Sequence, residues 1–115
     1  MQRGELWWGQ PVLPGGSRKQ RPFLVVSADP FNHNMRYRKV MVVHLTTAPR
    51  PGSPYDWEVE LPRGTAGLPS RSTAKCAEVY TLHKDQLTEL IGTLPREYLC
   101  RVDAALALSL ALRDK

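Results

Sequence analysis

The chain has 115 residues, 42% of them hydrophobic and 23% charged, with a formal net charge of +5. That much apolar material supports one small core and excludes global disorder, while the basic excess favours a polyanionic partner: nucleic acid, an anionic membrane surface or an acidic protein. Two cysteines without Cys-x-x-Cys or His-x-x-x-His spacing exclude a disulfide framework and a thiolate metal site, so Cys76 and Cys100 are expected to be reduced, buried or half-buried thiols of a cytoplasmic protein.

No repeat, linker or low-complexity tract divides the chain, which reads as a single domain over 1–115. Residues 1–5 carry no apolar signal region. A first strand is expected over 5–8, followed by a Pro/Gly loop to Gln20, and a second, continuously apolar strand over 23–27. Asp29-Pro30-Phe31-Asn32 is turn chemistry or one helical turn, with Asp29 as N-cap and Pro30 at the first helical position. A third strand spans 39–45, and the alternating Trp57-Glu58-Val59-Glu60-Leu61 makes a half-exposed fourth. A Gly-bearing loop over 63–69 leads to a strand pair or one bent strand over 72–82, then a short strand over 87–94.

The last element is a helix over 96–113, on which Leu99, Val102, Leu106 and Leu110 recur at three- and four-residue spacing. Its second half, residues 104–112, is too short to span a bilayer and apolar almost all round, so it needs cover from its own sheet and from a second subunit. Short strands followed by one terminal helix give a mostly β, α+β domain built on a small antiparallel barrel.

Two strands carry polar chemistry at an end: Arg21 where the second begins and Thr46 where the third stops. A strand locks rotamers and holds such groups in fixed positions, and in a basic chain an arginine with a threonine points to a phosphate site. Period-two alternation sets His44 on the same strand face as Thr46. Trp7, Tyr55, Trp57 and Tyr80 are candidates for stacking on bases. Adjacent Trp7 and Trp8 point to opposite faces of one strand, with Trp8 expected in the core. His33 and His83 are expected in loops.

Six segments in order make the chain resemble the MazF/PemK family of toxin endoribonucleases. They are Arg3-Gly4-Glu5-Leu6-Trp7-Trp8; Gly16-Ser17 with Arg21-Pro22-Phe23-Leu24-Val25-Val26-Ser27 and Asn32; Val43 to Thr46; Gly67-Leu68; Leu82-His83-Lys84-Asp85-Gln86-Leu87; and Arg101-Val102-Asp103-x-Ala105-Leu106. The resemblance covers nearly the whole chain. It implies an SH3-like barrel of the CcdB/MazF/Kid type with the terminal helix packed on it, working as a homodimer. It also implies sequence-specific cleavage of single-stranded RNA without a metal ion or other cofactor, and neutralisation by a cognate antitoxin. Contact with DNA is expected only indirectly, through the antitoxin complex, and contact with a membrane is not expected.

The implied chemistry is attack of the substrate's own 2′-hydroxyl on the adjacent phosphate, giving a 2′,3′-cyclic phosphate and a free 5′-hydroxyl. It needs in-line geometry, stabilisation of phosphorane charge and two proton transfers. The resemblance places the catalytic pair on Arg21 and Thr46, and His44 is expected to share in proton transfer. The family's Gly-Ser-Glu-Gln loop is here Gly16-Ser17-Arg18-Lys19-Gln20, which lacks the glutamate and leaves the general base open. Its basic strip, with Ser17, Arg18, Lys19 and Gln20, is expected to grip RNA together with Thr47, Trp57, Glu78 and Tyr80. The segment Glu78-Val79-Tyr80-Thr81 departs from the family's Gln-Val/Ile-Arg/Lys-Ser/Thr. Two rival readings are a CcdB-like toxin that binds gyrase without catalysis, and an SH3-like module that binds RNA and leaves it intact; neither needs the Arg21 and Thr46 pair.

Overall fold

Alternating side chains and short Gly/Pro-bearing turns build a sheet of six strands in the order β4-β5-β3-β2-β1-β6, every pairing antiparallel. They are β1 (Glu5–Gly9), β2 (Arg21–Val25), β3 (Lys39–Thr47), β4 (Glu58–Leu61), β5 (Ser72–His83) and β6 (Leu87–Thr93); α1 (Asp29–Asn32) and α2 (Arg96–Leu110) complete the order. The structure is a computed structural model and describes residues 1–11, 19–48, 52 and 55–112. Among these, no helix is long and apolar enough to cross a membrane.

Both faces of the sheet are buried. On one, Leu6, Leu24, Val43, Leu45, Val59, Leu61, Ala74 and Cys76 pack against Val102, Ala105 and Leu106 of α2. On the other, Phe23, Val25, Val40, Val42, Leu82 and Leu87 form a second cluster, with Trp7 and Tyr80 packed against it. This double burial explains why β2 and the middle of β3 read as continuous apolar runs rather than alternating ones.

The sheet curls until the short 3-10 turn Thr65–Gly67, which follows β4, meets the opposite end strand β6. A Cβ at Gly92 of β6 would overlap the Ala66 carbonyl, so only glycine admits this approach, and the closure gives the fold its barrel-like form.

Several expectations shift. β2 begins and ends two residues early, and its ladder breaks where the Val26 and Ser27 N–H groups both converge on the Met41 carbonyl and the Ser27 side chain takes further bonds. Its Oγ donates to Asn32 Oδ1 (2.5 Å) and accepts the Met41 N–H (3.2 Å), while Asn32 Nδ2 donates to the Ser27 carbonyl (2.7 Å). The N-cap of α1 is Ala28, not Asp29. The Asp29 carboxylate instead accepts the Arg3 N–H at 2.7 Å and an Asn32 N–H, and these bonds hold it below the usual carboxylate range. Residues 72–82 resolve into one bent strand, β5. The helix stops at Leu110, where Ala111 turns left-handed (φ 56°) and returns its N–H to Ala107.

Both Trp7 and Trp8 are half-buried, and it is Trp7, not Trp8, that packs on an apolar cluster. Trp8 shares a face with Leu6 but sits at the far end of β1 from Gly4, the end that Leu99 of α2 covers. Cys76 is buried as expected, but Cys100 is exposed, because it lies off the Val102, Ala105 and Leu106 stripe of α2.

Candidate active site

The antiparallel register brings the candidate residues together. Gly9 pairs with Arg21, Trp7 with Phe23, Phe23 with His44 and Val42 with Tyr80. Pro22 has no N–H for the β3 ladder, and the β2–β3 pairing resumes at Phe23. Continued by two residues, that register sets Arg21 across from Thr46. Arg21, His44, Thr46 and Tyr80 therefore share one face, on the rim of the second apolar cluster. Thr47, the next residue along, points to the opposite face and lines a separate shallow pocket with Arg63 and Arg71, so the structure does not bring it to this group.

The β3–β5 ladder slips at this point. Between the Val43↔Val79 and Leu45↔Ala74 pairs, residues 75–78 of β5 stand opposite His44 alone. The register before the slip, continued from the Val43↔Val79 pair, sets Glu78 directly across from His44 and on the Tyr80 face, and its Oε1 lies 2.8 Å from His44 Nε2. An ionised carboxylate has no proton to give, so Nε2 carries the proton and donates it. His44 Nδ1 is buried without a partner among the described residues. The side chain of His44 is 8% exposed and that of Glu78 is 49% exposed, so the carboxylate is the outer member of the pair.

Tyr80 sets its ring edge-on to His44, with centroids 5.4 Å apart. Burial raises its phenol, the Glu78 charge and a hydrogen bond to Glu78 raise it further, and the Arg21 charge opposes them. Arg21, Tyr80, Glu78 and His44 are thus electrostatically one group. Arg21 is half-buried, and its Nε is a buried donor without a partner among the described residues. Such an atom suits an acceptor brought by a ligand.

The flanks differ. Lys75 gives its Nζ to Glu58 Oε2 at 2.7 Å, a bond that raises the lysine and commits its charge locally. Tyr55 and Trp57 stack on each other (4.6 Å, 15°) and are both exposed. Lys19 and Gln20 are exposed just before β2, while Ser17 and Arg18 lie outside the described residues. His33 caps α1 and His83 ends β5; neither joins the cluster. Among the described residues no group of three His, Cys, Asp or Glu side chains converges as a metal site would require. Glu78 as the partner of His44 was not readable from spacing, because which residues of β5 stand across from β3 is set by the fold and not by either strand's own pattern.

A sequence model described as the PemK-like, MazF-like toxin of type II toxin–antitoxin systems matches residues 2–110. Endoribonuclease MazF2 of Mycobacterium bovis is 34% identical over 110 residues, 90% of this chain and 91% of its own length. Endoribonuclease EndoA of Bacillus subtilis is 29% identical over 116 residues, covering 99% and 97%. Among solved structures, a mycobacterial endoribonuclease in complex with its cognate antitoxin superposes with a TM-score of 0.79 at 23% identity, over 100% of this chain and 99% of that one. A MazE–MazF structure from Deinococcus radiodurans superposes with a TM-score of 0.71 at 24% identity, over 96% and 94%.

Proposed function

The chain belongs to the PemK-like, MazF-like toxin family of type II toxin–antitoxin systems, and from that membership we propose that it is a sequence-specific endoribonuclease toxin acting on single-stranded RNA in the cytoplasm. Its relatives are endoribonucleases, and a solved neighbour is an endoribonuclease held by a cognate antitoxin. The single observation that carries the reading is Arg21: a permanently charged guanidinium on a strand, with a buried unpartnered Nε, in register with Thr46.

In the proposed reaction the scissile phosphate sits between these two residues. Arg21 donates to its non-bridging oxygens and is worth most as charge grows on the phosphorane; Thr46 adds a hydroxyl donor. The substrate's 2′-hydroxyl is the nucleophile, giving 2′,3′-cyclic phosphate and 5′-hydroxyl ends, and neither metal nor cofactor is required. Flanking nucleotides run over Lys19 and Gln20 on one side and stack near Tyr80 and the Tyr55–Trp57 pair on the other, with Ser17 and Arg18 expected to add contacts. Leu108, Leu110 and Leu112, 55%, 56% and 69% exposed at the end of α2, support a homodimer in which a second copy covers them. The antitoxin partner is an acidic, partly disordered segment that orders on the basic surface.

The test is purified protein with a long single-stranded RNA in excess EDTA, beside Arg21→Ala, with fragment ends mapped. Discrete cuts with cyclic phosphate and 5′-hydroxyl ends are expected, reduced by about 100-fold or more in the variant. Intact RNA with the wild-type protein would return it to a passive RNA binder or a toxin of another kind.

A further inference from the structure

We propose that Glu78 is the general base of the RNA cleavage reaction, and that His44 and Tyr80 position it. The inference rests on the ribonuclease reading and deepens it. The first loop, Gly16-Ser17-Arg18-Lys19-Gln20, offers no carboxylate, and His44 cannot take the role directly. Of its two ring nitrogens, Nδ1 is buried and Nε2 is turned to Glu78 at 2.8 Å. The group of this pair that reaches solvent is the carboxylate.

The strand register makes the arrangement. Continued from the Val43↔Val79 pair it sets Glu78 across from His44, on the face where Arg21 and Thr46 stand, and β5 bulges only beyond it, over residues 75–77. Glu78 lies 2.8 Å from His44 Nε2 and accepts its N–H, and the Tyr80 phenol stands near enough to be raised by the Glu78 charge. The His44 donor fixes the carboxylate and leaves further lone pairs for a substrate hydroxyl. The charged and titratable groups that face it are His44 on β3, Tyr80 and Lys75 on β5, and Arg21 on β2, and Lys75 is committed to Glu58.

In the step, Glu78 takes the proton of the 2′-hydroxyl as the 2′-oxygen to phosphorus bond forms. The bond from phosphorus to the 5′-oxygen breaks, the leaving oxygen takes a proton from water, and Glu78 returns its own to solvent. A proton acceptor held this way contributes a rate factor of about 100 to 10,000.

The experiment compares wild-type, Glu78→Gln and His44→Gln proteins by single-turnover cleavage of one RNA across pH, with RNA affinity measured on a 2′-O-methyl analogue. The amide introduced by Glu78→Gln keeps an acceptor for His44, and the one introduced by His44→Gln keeps a donor for Glu78. Both folds should therefore hold, and circular dichroism verifies this. In Glu78→Gln the cleavage rate should fall about 100-fold or more at unchanged RNA affinity, and the acid limb of the rate profile should vanish. In His44→Gln the rate should fall less and the acid limb should persist. Formate should restore part of the rate to Glu78→Ala. Wild-type protein that leaves RNA intact overturns the ribonuclease reading and this proposal with it. Wild-type cleavage that Glu78→Gln matches, a loss confined to affinity, or an acid limb abolished by His44→Gln alone overturns this proposal and leaves the ribonuclease standing.

Discussion

At the scale of single residues, burial separates two cysteines that look alike in the sequence. Burial pushes the Cys76 thiol up to about 12, while Cys100 is exposed on α2. At about pH 8.5, where an ordinary thiol is half ionised, one cysteine should react with a thiol reagent in the folded protein and both after unfolding. Equal labelling of both in the native state would show that Cys76 is not in the core. The sign for stability follows: the contribution tied to the protonated Cys76 thiol is whole below the ordinary thiol range and is lost as pH rises from there towards about 12. The site residues show the same contrast in legibility. That His44 and Thr46 share a face was legible, because parity along one strand is a local property. That Arg21 and Glu78 stand across from them was not, because the pairing of β2 and β5 with β3 is set by the fold.

At the scale of elements, the strands and the terminal helix were legible to within a few residues, and the misplacements have physical causes. The Val26 and Ser27 N–H groups converge on the Met41 carbonyl where β2 ends early, and Ala111 ends α2 in a left-handed turn. The contact between β6 and the turn after β4 was not legible, since a lone glycine in a strand does not say what approaches it. Gly92→Ala should cost about 1–3 kcal/mol in urea denaturation, because the methyl group would meet backbone rather than a flexible side chain. An unchanged unfolding midpoint would mean that the turn is not seated on β6. Cleavage per folded molecule should survive in this variant, as Arg21 and Glu78 stand on β2 and β5.

At the scale of the molecule, the net charge of +5 sets how RNA is held rather than how it is cut. Binding of an uncleavable single-stranded RNA should weaken steadily with salt, by about 0.7 in log affinity per log unit of salt for each phosphate engaged. Arg21→Ala should reduce that slope by about one such increment, whereas Glu78→Gln should leave it nearly unchanged. A slope indifferent to Arg21 would place the scissile phosphate elsewhere. Whole-chain likeness to toxins of known activity fixed the family here, while the strand register that sets Glu78 across from His44 came from this chain's own geometry.

The sheet order also bears on how such a chain survives alone. Its two outer strands are where another molecule could add a strand and begin aggregation. β6 is shielded by the turn seated on Gly92. β4 is only Glu58–Leu61, and acidic side chains alternate along it; Glu58 is tied to Lys75, and Glu60 accepts the Gly52 N–H. Both borders are thus blunted against strand addition. A chain with blunted borders resists joining its sheets edge to edge as its concentration rises.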